Sequence, residues 1–429
     1  PDIFCDLTGS WRTQADEAEA SPGYDDSGWQ TGVAGEALEA QGWYDNGYYW
    51  YRRAFAVAGQ PPHLWLNCPD LTDEITAYVN GKVVGHGLHR LEVDIAPQVR
   101  PGDNLLALRV ESTGRENGGF LWPNGLLQPA YLDEAQRRLD ITRWRMQTCA
   151  PIPSAALRAG PAEAQPGHDD GGWQEVEVSP RIDSRPTGRW SDIRGIWYRS
   201  VVDVPAAWAG GVFSLDFADV RDEAWVYVNG RLVGQITNRA FHSRAPGRAL
   251  AVDDALRPGQ RNHLAIYVRM LGTVGGLHQR VRLVAHDQML REGWRIAPQL
   301  GGERAGWAAP DFDDSAWPSV QIPEPEPAAH GVAWYRRTVA LALPEGWGTP
   351  LRLTISDTPG VATLYFNGAL IGRYCEEGPQ TDFYIYERLL RPCNTVAIAV
   401  DGRGAAARLG RVSISPFCAT RWARIRCQW

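Results

Sequence analysis

With 429 residues, 44% of them hydrophobic and 19 of them Trp, the chain has apolar material for roughly three cores of ordinary domain size. A net charge of −7 without any basic block excludes a nucleic-acid binder of the electrostatic kind, and no apolar run approaches the roughly 18 residues that cross a bilayer. The chain does not open on a basic-then-apolar leader, and it begins at Pro1, so a mature or excised chain whose leader, if any, is gone is expected.

The first element is Trp11-Arg12. A polar, Gly- and Pro-rich stretch follows and ends in Asp25-Asp26-Ser27-Gly28-Trp29, where the Asp pair suits a turn or N-cap and the Trp a buried anchor. Trp50-Tyr51-Arg52-Arg53 opens a segment that alternates Tyr51, Arg53, Phe55 and Val57 against Arg52, Ala54 and Ala56, the period of a strand. Asn80-Gly81, between Thr76–Val79 and Lys82–Val84, predicts a hairpin with a type I′ turn, because both central residues of that turn need positive φ. Pro101-Gly102-Asp103-Asn104 then turns into the apolar strand Leu105–Val110.

The same elements return in the same order. Trp144-Arg145, Asp169-Asp170-Gly171-Gly172-Trp173, Trp197-Tyr198-Arg199-Ser200, Asn229-Gly230 and Pro258-Gly259-Gln260-Arg261-Asn262 make the second copy. Trp294-Arg295, Asp313-Asp314-Ser315-Ala316-Trp317, Trp334-Tyr335-Arg336-Arg337, Asn367-Gly368 and Pro392-Cys393-Asn394 make the third. A period of about 140 residues is domain-sized, so three homologous domains are expected, over 1–138, 139–287 and 288–417, with a tail over 418–429. Short strands, many turns and little helical periodicity predict an all-β sandwich for each.

The order Trp, Asp-Asp-Ser-x-Trp, Trp-Tyr-Arg-Arg, Val-Asn-Gly-x-x-Val-Gly, Pro-Gly-x-Asn-x-Leu-Ala-x-x-Val resembles the sugar-binding domain of glycoside hydrolase family 2, three times over. That resemblance implies three tandem galactose-binding-like jelly rolls. The third copy departs most, with Tyr365-Phe366-Asn367-Gly368 and Pro392-Cys393-Asn394. Enzymes of that family add an immunoglobulin-like domain and a (β/α)₈ barrel of about 250 residues with two catalytic glutamates, for which the repeats leave no room. No Gly-x-Ser-x-Gly, His-Glu-x-x-His or phosphate-loop motif occurs. The chain is therefore expected not to be an enzyme.

Glycan sites pair aromatic faces with amides and carboxylates. The loop Trp43, Tyr44, Asp45, Asn46 and Tyr48 has that chemistry, as do Arg189, Trp190 and Asp192 in the second copy. His86 and His89, with Arg239 and His242, follow the hairpins and suit an acidic sugar; Trp122 is a further aromatic candidate. The corresponding loop of the third copy, Pro327-Ala328-Ala329-His330, is poorer in such groups. The Arg after Trp-Tyr is expected to be structural, pairing with an acid such as Asp26 or Asp314.

The cysteines number seven, with no zinc-like spacing. Cys418 with Cys427, and Cys375 with Cys393, are the disulfide candidates; the odd thiol would be buried or shared with another chain. A structural calcium per domain is implied by the resemblance alone. The reading that follows is a secreted or cell-surface protein that binds glycan multivalently, with no nucleic-acid partner and no membrane insertion. Two alternatives stand beside it: a self-associating structural subunit of an extracellular assembly such as a surface layer, fibre or virion, and the accessory region of a larger glycoside hydrolase. The ending Cys418 to Trp429 has the composition of a finished terminus.

Overall fold

Each Asn-Gly step turns a strand back on itself. Asn80, Asn229 and Asn367 have φ of 51°, 50° and 49°, and the glycines that follow have 85°, 84° and 83°. Both central residues thus lie in the left-handed region, as a type I′ turn requires. The hairpins are Glu74–Val79 with Lys82–Leu88, Glu223–Val228 with Arg231–Thr237, and Val361–Phe366 with Ala369–Cys375. Each is bulged two residues before the Asn. The structure is a computed structural model and describes residues 5–112, 123–177, 195–221, 223–237, 248–270, 276–324, 331–341 and 350–417.

The Asn of each hairpin also ties it to a neighbour. Asn80 donates to the Asn104 side-chain oxygen at 2.8 Å, Asn229 to Asn262 at 2.9 Å and Asn367 to Asn394 at 2.8 Å. The second Asn of each pair belongs to the Pro-Gly-x-Asn turn or its counterpart. Two motifs that are separate in sequence are therefore one hydrogen-bonded object in space.

Among the described residues all strand pairs are antiparallel, and they form three sandwiches, each of one six-stranded and one four-stranded sheet. The second sandwich is continuous. Its large sheet runs Gln174–Glu177, Arg143–Cys149, Gly195–Asp203, Arg261–Arg269, Glu223–Val228, Arg231–Thr237; its small sheet runs Arg137–Ile141, Gly276–His286, Val212–Arg221, Arg248–Ala251.

The first and third sandwiches exchange their opening strands. Gly9–Ala15, which carries Trp11-Arg12, pairs with Ser319–Ile322 and Val332–Ala340 of the third. Trp294–Pro298, which carries Trp294-Arg295, pairs with Gln30–Gly32 and Gly47–Val57 of the first. The short strands follow suit: Cys5–Asp6 joins Arg411–Pro416, and Gln288–Leu290 joins Ala130–Asp133. The strands of the second sandwich, Arg137 to His286, keep to the repeat, whereas Cys5–Ala15 and Gln288–Pro298 each lie in a sandwich other than that of their own repeat. The physical reason is that homologous Trp-Arg strands fit either sheet equally well in sequence terms. The chain divides into two compact units, Pro1–Ser27 with Gln299–Trp429, which holds the third sandwich, and Gly28–Pro298, which holds the first and second.

Each sandwich has its own core between its two sheets. The opening Trp residues Trp11, Trp144 and Trp294 are buried there. Their indole N–H groups donate to the carbonyls of Leu7, Ile141 and Leu290 at 2.8, 3.0 and 3.0 Å. The Arg beside each donates to a carbonyl of an Asp-Asp-x-x-Trp turn: Arg12 to that of Trp317, Arg145 to that of Asp170, Arg295 to that of Trp29. The Arg of Trp-Tyr-Arg is structural, as expected: Arg199 reaches Asp170 at 2.8 Å and Arg336 reaches Asp314 at 2.9 Å. The turn Trp is buried only in the third copy, at Trp317; Trp29 and Trp173 are half-buried.

The Cys375–Cys393 disulfide does not form, and the Cys375 thiol instead donates to the Glu377 carboxylate at 2.9 Å. Cys375 lies opposite Val361, which also faces Asp401, whereas Cys393 begins the strand that ends at Asp401. Eight residues of extended chain separate the two positions by about 26 Å, against a Cα limit near 7 Å for a bridge. Cys418 and Cys427 lie outside the described residues.

Candidate functional site

The outward face of the third sandwich's large sheet carries the side chains that its core does not take. Along Val332–Ala340 the core takes Ala333 and Tyr335, so Trp334 and Arg336 point the other way. Along Val361–Phe366 it takes Ala362, Leu364 and Phe366, leaving Thr363 and Tyr365 outward. The strand between them, Cys393–Asp401, sets Ala399 opposite Trp334 and Ala397 opposite Tyr365. Over these two methyl groups the Trp334 and Tyr365 rings stack, with centroids 5.5 Å apart and planes at 20°. In the sister sandwiches the residue opposite the equivalent Trp is large: Arg109 faces Trp50, and Tyr267 faces Trp197. There the Trp–Tyr pairs tilt by 42° and 39°.

The segment from Gln299 to Trp317 covers this face. A single helical turn, Gly301–Arg304, places Glu303 so that one carboxylate oxygen accepts the Leu300 N–H at 3.0 Å and the other the Tyr365 hydroxyl at 2.5 Å. Position 302 must be glycine, since a Cβ there would lie 2.4 Å from the Trp307 ring and 2.5 Å from the Trp334 indole nitrogen. Arg336 holds the next loop. Its guanidinium donates to the carbonyls of Trp307, Ala309 and Phe312 and to the Asp314 carboxylate. Rings, helical turn and loop enclose a cavity of 380 Å³ whose walls include Glu303, Ala308, Pro310, Trp334, Tyr365 and Asn367.

Asp16 lies behind Trp334. It accepts the indole N–H at 2.7 Å and the Gly302 N–H at 3.0 Å. Burial first, and the neighbouring Glu19 second, push its carboxyl up to about 6. The Tyr365 phenol is held above its ordinary range by burial and by the Glu303 carboxylate. Tyr365 therefore keeps its proton at neutral pH and donates it in this hydrogen bond. The volume lies at the lower end of the range for small-ligand sites, and an aromatic wall with a hydrogen-bonded carboxylate suits a polyol with one apolar face.

Sequence reasoning passed over this site, because its best walls come from motifs that look purely structural. The candidates it did name are dispersed. Trp43 packs on the core of the first sandwich, Tyr44 is 76% exposed, Asp45 and Asn46 are exposed, and Tyr48 is buried on the sheet. His86 is half-buried, 3.1 Å from the Thr76 hydroxyl and 3.5 Å from the Glu74 carboxylate. His89, at φ 60°, shapes the turn beside Asp73. Trp122, Arg189, Trp190, Asp192, Arg239 and His242 lie outside the described residues. No group of three or more Asp, Glu, His or Cys side chains is placed to hold a metal among the described residues. Among those residues no helix is long and apolar enough to cross a membrane.

A Ser-His-Asp arrangement occurs in the other unit. Ser214 lies 3.0 Å from one ring nitrogen of His286, and the Asp133 carboxylate 2.9 Å from the other. All three are buried, and Tyr131 stacks on His286 at 3.8 Å. A nucleophile with 1% exposure cannot meet a substrate. The group joins Asp133 of the first sandwich to Ser214 and His286 of the second.

The family model for the second all-beta domain of β-galactosidase matches residues 302–406, a stretch that contains Glu303, Trp334, Tyr365 and Asn367. The probable β-galactosidase B of Sclerotinia sclerotiorum is 40% identical over 79 residues, which are 18% of this chain and 8% of that protein. The probable β-galactosidase B of Aspergillus terreus is 25% identical over 316 residues, 61% of this chain and 29% of that protein. The chain spans less than a third of the length of these curated relatives. Among solved structures, a glycosyl hydrolase family 2 member from Bacteroides cellulosilyticus aligns at 16% identity with a TM-score of 0.28, covering 62% of this chain and 32% of that one. Residues 302–406 thus resemble a β-sandwich domain of β-galactosidases, and the fold class is all-β. The expectation that the chain is not an enzyme is overturned: the curated relatives are named β-galactosidases, which points to an enzyme family of which this chain covers a part.

Proposed function

We propose that this chain is the accessory β-sandwich region of a β-galactosidase-like glycoside hydrolase, and that its third sandwich holds a galactoside residue in the Trp334–Tyr365–Glu303 cavity. The observation that carries the reading is the coincidence of the matched domain, residues 302–406, with the walls of that cavity. The Trp334–Tyr365 face offers an apolar surface to a pyranose ring, and Glu303 and Asn367 offer polar groups to its hydroxyls. Because polymeric galactosides are met outside cells, the same reading places the chain in a secreted or surface-bound protein.

Titration calorimetry with galactose and β-galacto-oligosaccharides tests it. Glu303→Gln and Tyr365→Phe are expected to weaken binding by about tenfold each, since each breaks a charge-assisted hydrogen bond that shapes the wall. Equal affinity in the parent and in both variants would remove the cavity from the account, and the absence of any galactoside binding would remove the reading itself.

A further inference from the structure

The polar side chains in the wall of the Trp334–Tyr365–Glu303 cavity have mostly given their protons to the protein. The Tyr365 hydroxyl donates to Glu303 at 2.5 Å, so its lone pairs are what it offers a ligand. The Asn367 amide places one proton on the Leu389 carbonyl at 2.6 Å and the other on the Asn394 oxygen at 2.8 Å. Its own oxygen accepts the Thr395 N–H and keeps a second lone pair. The Trp334 indole N–H points behind the wall, to Asp16. Glu303, Tyr365 and Asn367 therefore meet a ligand as acceptors.

Glu303 is the one charged side chain among the lining residues. Its partners are the Leu300 N–H and the Tyr365 hydroxyl, and no cation pairs with it among the described residues. The arginines nearby are held elsewhere. Arg304 pairs with Glu19 and donates to the Gln299 carbonyl at 2.6 Å, and Arg336 pairs with Asp314 at 2.9 Å. The Tyr365 phenol registers the field that results. After burial, Glu303 raises it most, Asp16 adds to this, and Arg373 opposes it without lining the cavity.

The fold does not need a charge at this place. In the second sandwich the equivalent hydroxyl, Tyr227, donates to the Leu157 carbonyl at 2.6 Å. In the first, Tyr78 accepts from Arg109 at 2.5 Å. The third copy alone sets a carboxylate there, and it is the copy whose small Ala399 leaves a cavity beside it. A volume of 380 Å³ is about 7 Å across, inside one Debye length at physiological salt, so a charge anywhere in the cavity feels Glu303.

We propose that Glu303 makes the cavity selective for the charge of its sugar. Neutral galactosides and galactosaminides enter, because their hydroxyl and ammonium protons meet the acceptors. Galacturonosides are refused, because their carboxylate brings a charge of the same sign and no proton to give. The proposal rests on the galactoside reading of this cavity and names its specificity-determining residue.

The probes are the methyl β-glycosides of galactose, galactosamine and galacturonic acid, titrated into the whole chain at neutral pH. The galactosaminide is expected to bind at least as tightly as the galactoside, and the galacturonide at least about tenfold more weakly. Glu303→Gln should bring galactoside and galacturonide to within about threefold of each other. Tyr365→Phe keeps the carboxylate and should weaken both while leaving their ratio as it was. Should Glu303→Gln fail to fold, raising salt from about 0.02 to about 0.5 M on the parent should tighten galacturonide binding at least about threefold and leave the galactoside unchanged. A galacturonide that binds the parent as tightly as the galactoside overturns charge selection and leaves the galactoside reading standing. A ratio that both variants lower alike does the same. Binding of none of the three sugars removes the galactoside reading, and this proposal with it.

Discussion

Asn367 and Asn394 hold each other across two turns of the third sandwich. The Asn367 amide donates to the Asn394 oxygen at 2.8 Å, and the Asn367 oxygen accepts the Thr395 N–H at 2.8 Å. Asn394 in turn accepts the Arg391 N–H and donates to the Arg391 carbonyl. It is fully buried. The pair converts a hairpin turn and an interstrand turn into one rigid corner, and the same corner occurs in each sandwich.

Asn394→Ala removes one partner from three of these four bonds and leaves buried polar groups unsatisfied. A loss of about 2–3 kcal/mol is expected, read as a lower denaturation midpoint at unchanged slope. Asn262→Ala should behave alike in the second sandwich. A loss under about 0.5 kcal/mol would show that water replaces the side chain without cost.

Asp16 gives the third sandwich a pH dependence. Its folded carboxyl, at about 6, stands above its ordinary value of 3.8, so folding favours the protonated form. The contribution to stability is complete below about pH 4 and is lost as pH rises through about 6, some 3 kcal/mol in all. Asp16→Asn keeps an acceptor for Trp334 and should remove that slope. Denaturant titrations at pH 4.5 and 7.5 on both proteins check it; equal slopes would refute the assignment.

The thiols should react in a fixed order. Cys393 is exposed, whereas Cys68 is buried and its thiol is pushed up to about 12 by burial. Iodoacetamide is expected to label Cys393 in the native protein and Cys68 only after denaturation, as read by peptide mass. A native mass showing Cys375 bonded to Cys393 would contradict the strand register.

His286→Ala should loosen the first sandwich from the second. It leaves the Asp133 carboxylate buried without its aromatic partner, at a cost of about 3 kcal/mol. Splitting of one unfolding transition into two, seen by calorimetry, is the expected sign. Ser214→Ala removes a weaker bond and should cost about 1 kcal/mol.

The hairpins, the strand alternation and the Arg336–Asp314 pair were legible because each is fixed by residues close in sequence or by a motif repeated three times. Asn-Gly needs no tertiary information to make its turn. The exchange of opening strands was not legible, because Trp11-Arg12 and Trp294-Arg295 are interchangeable in pattern and only packing decides which sheet each joins. The cavity was missed for a related reason. Trp334 and Tyr365 look identical in role to Trp50 and Tyr78, and the difference lies in the size of Ala399 one strand away. A comparison of Arg109, Tyr267 and Ala399 within the repeat carries that signal, but its meaning depends on knowing the register.

The exchanged strands also set an order of events during synthesis. The second sandwich completes itself once residue 286 has emerged, and the first needs only Gln288–Leu290 and Trp294–Pro298 beyond that. Gly9–Ala15 is made before either, yet its sheet neighbours are the residues from Ser319 onward. At 5–20 residues per second it waits roughly 15–60 s with both edges bare. A strand in that position is open to pairing with the wrong chain, and the Arg12, Thr13 and Gln14 that follow Trp11 give it the charge and polarity that discourage such pairing until its own sheet arrives.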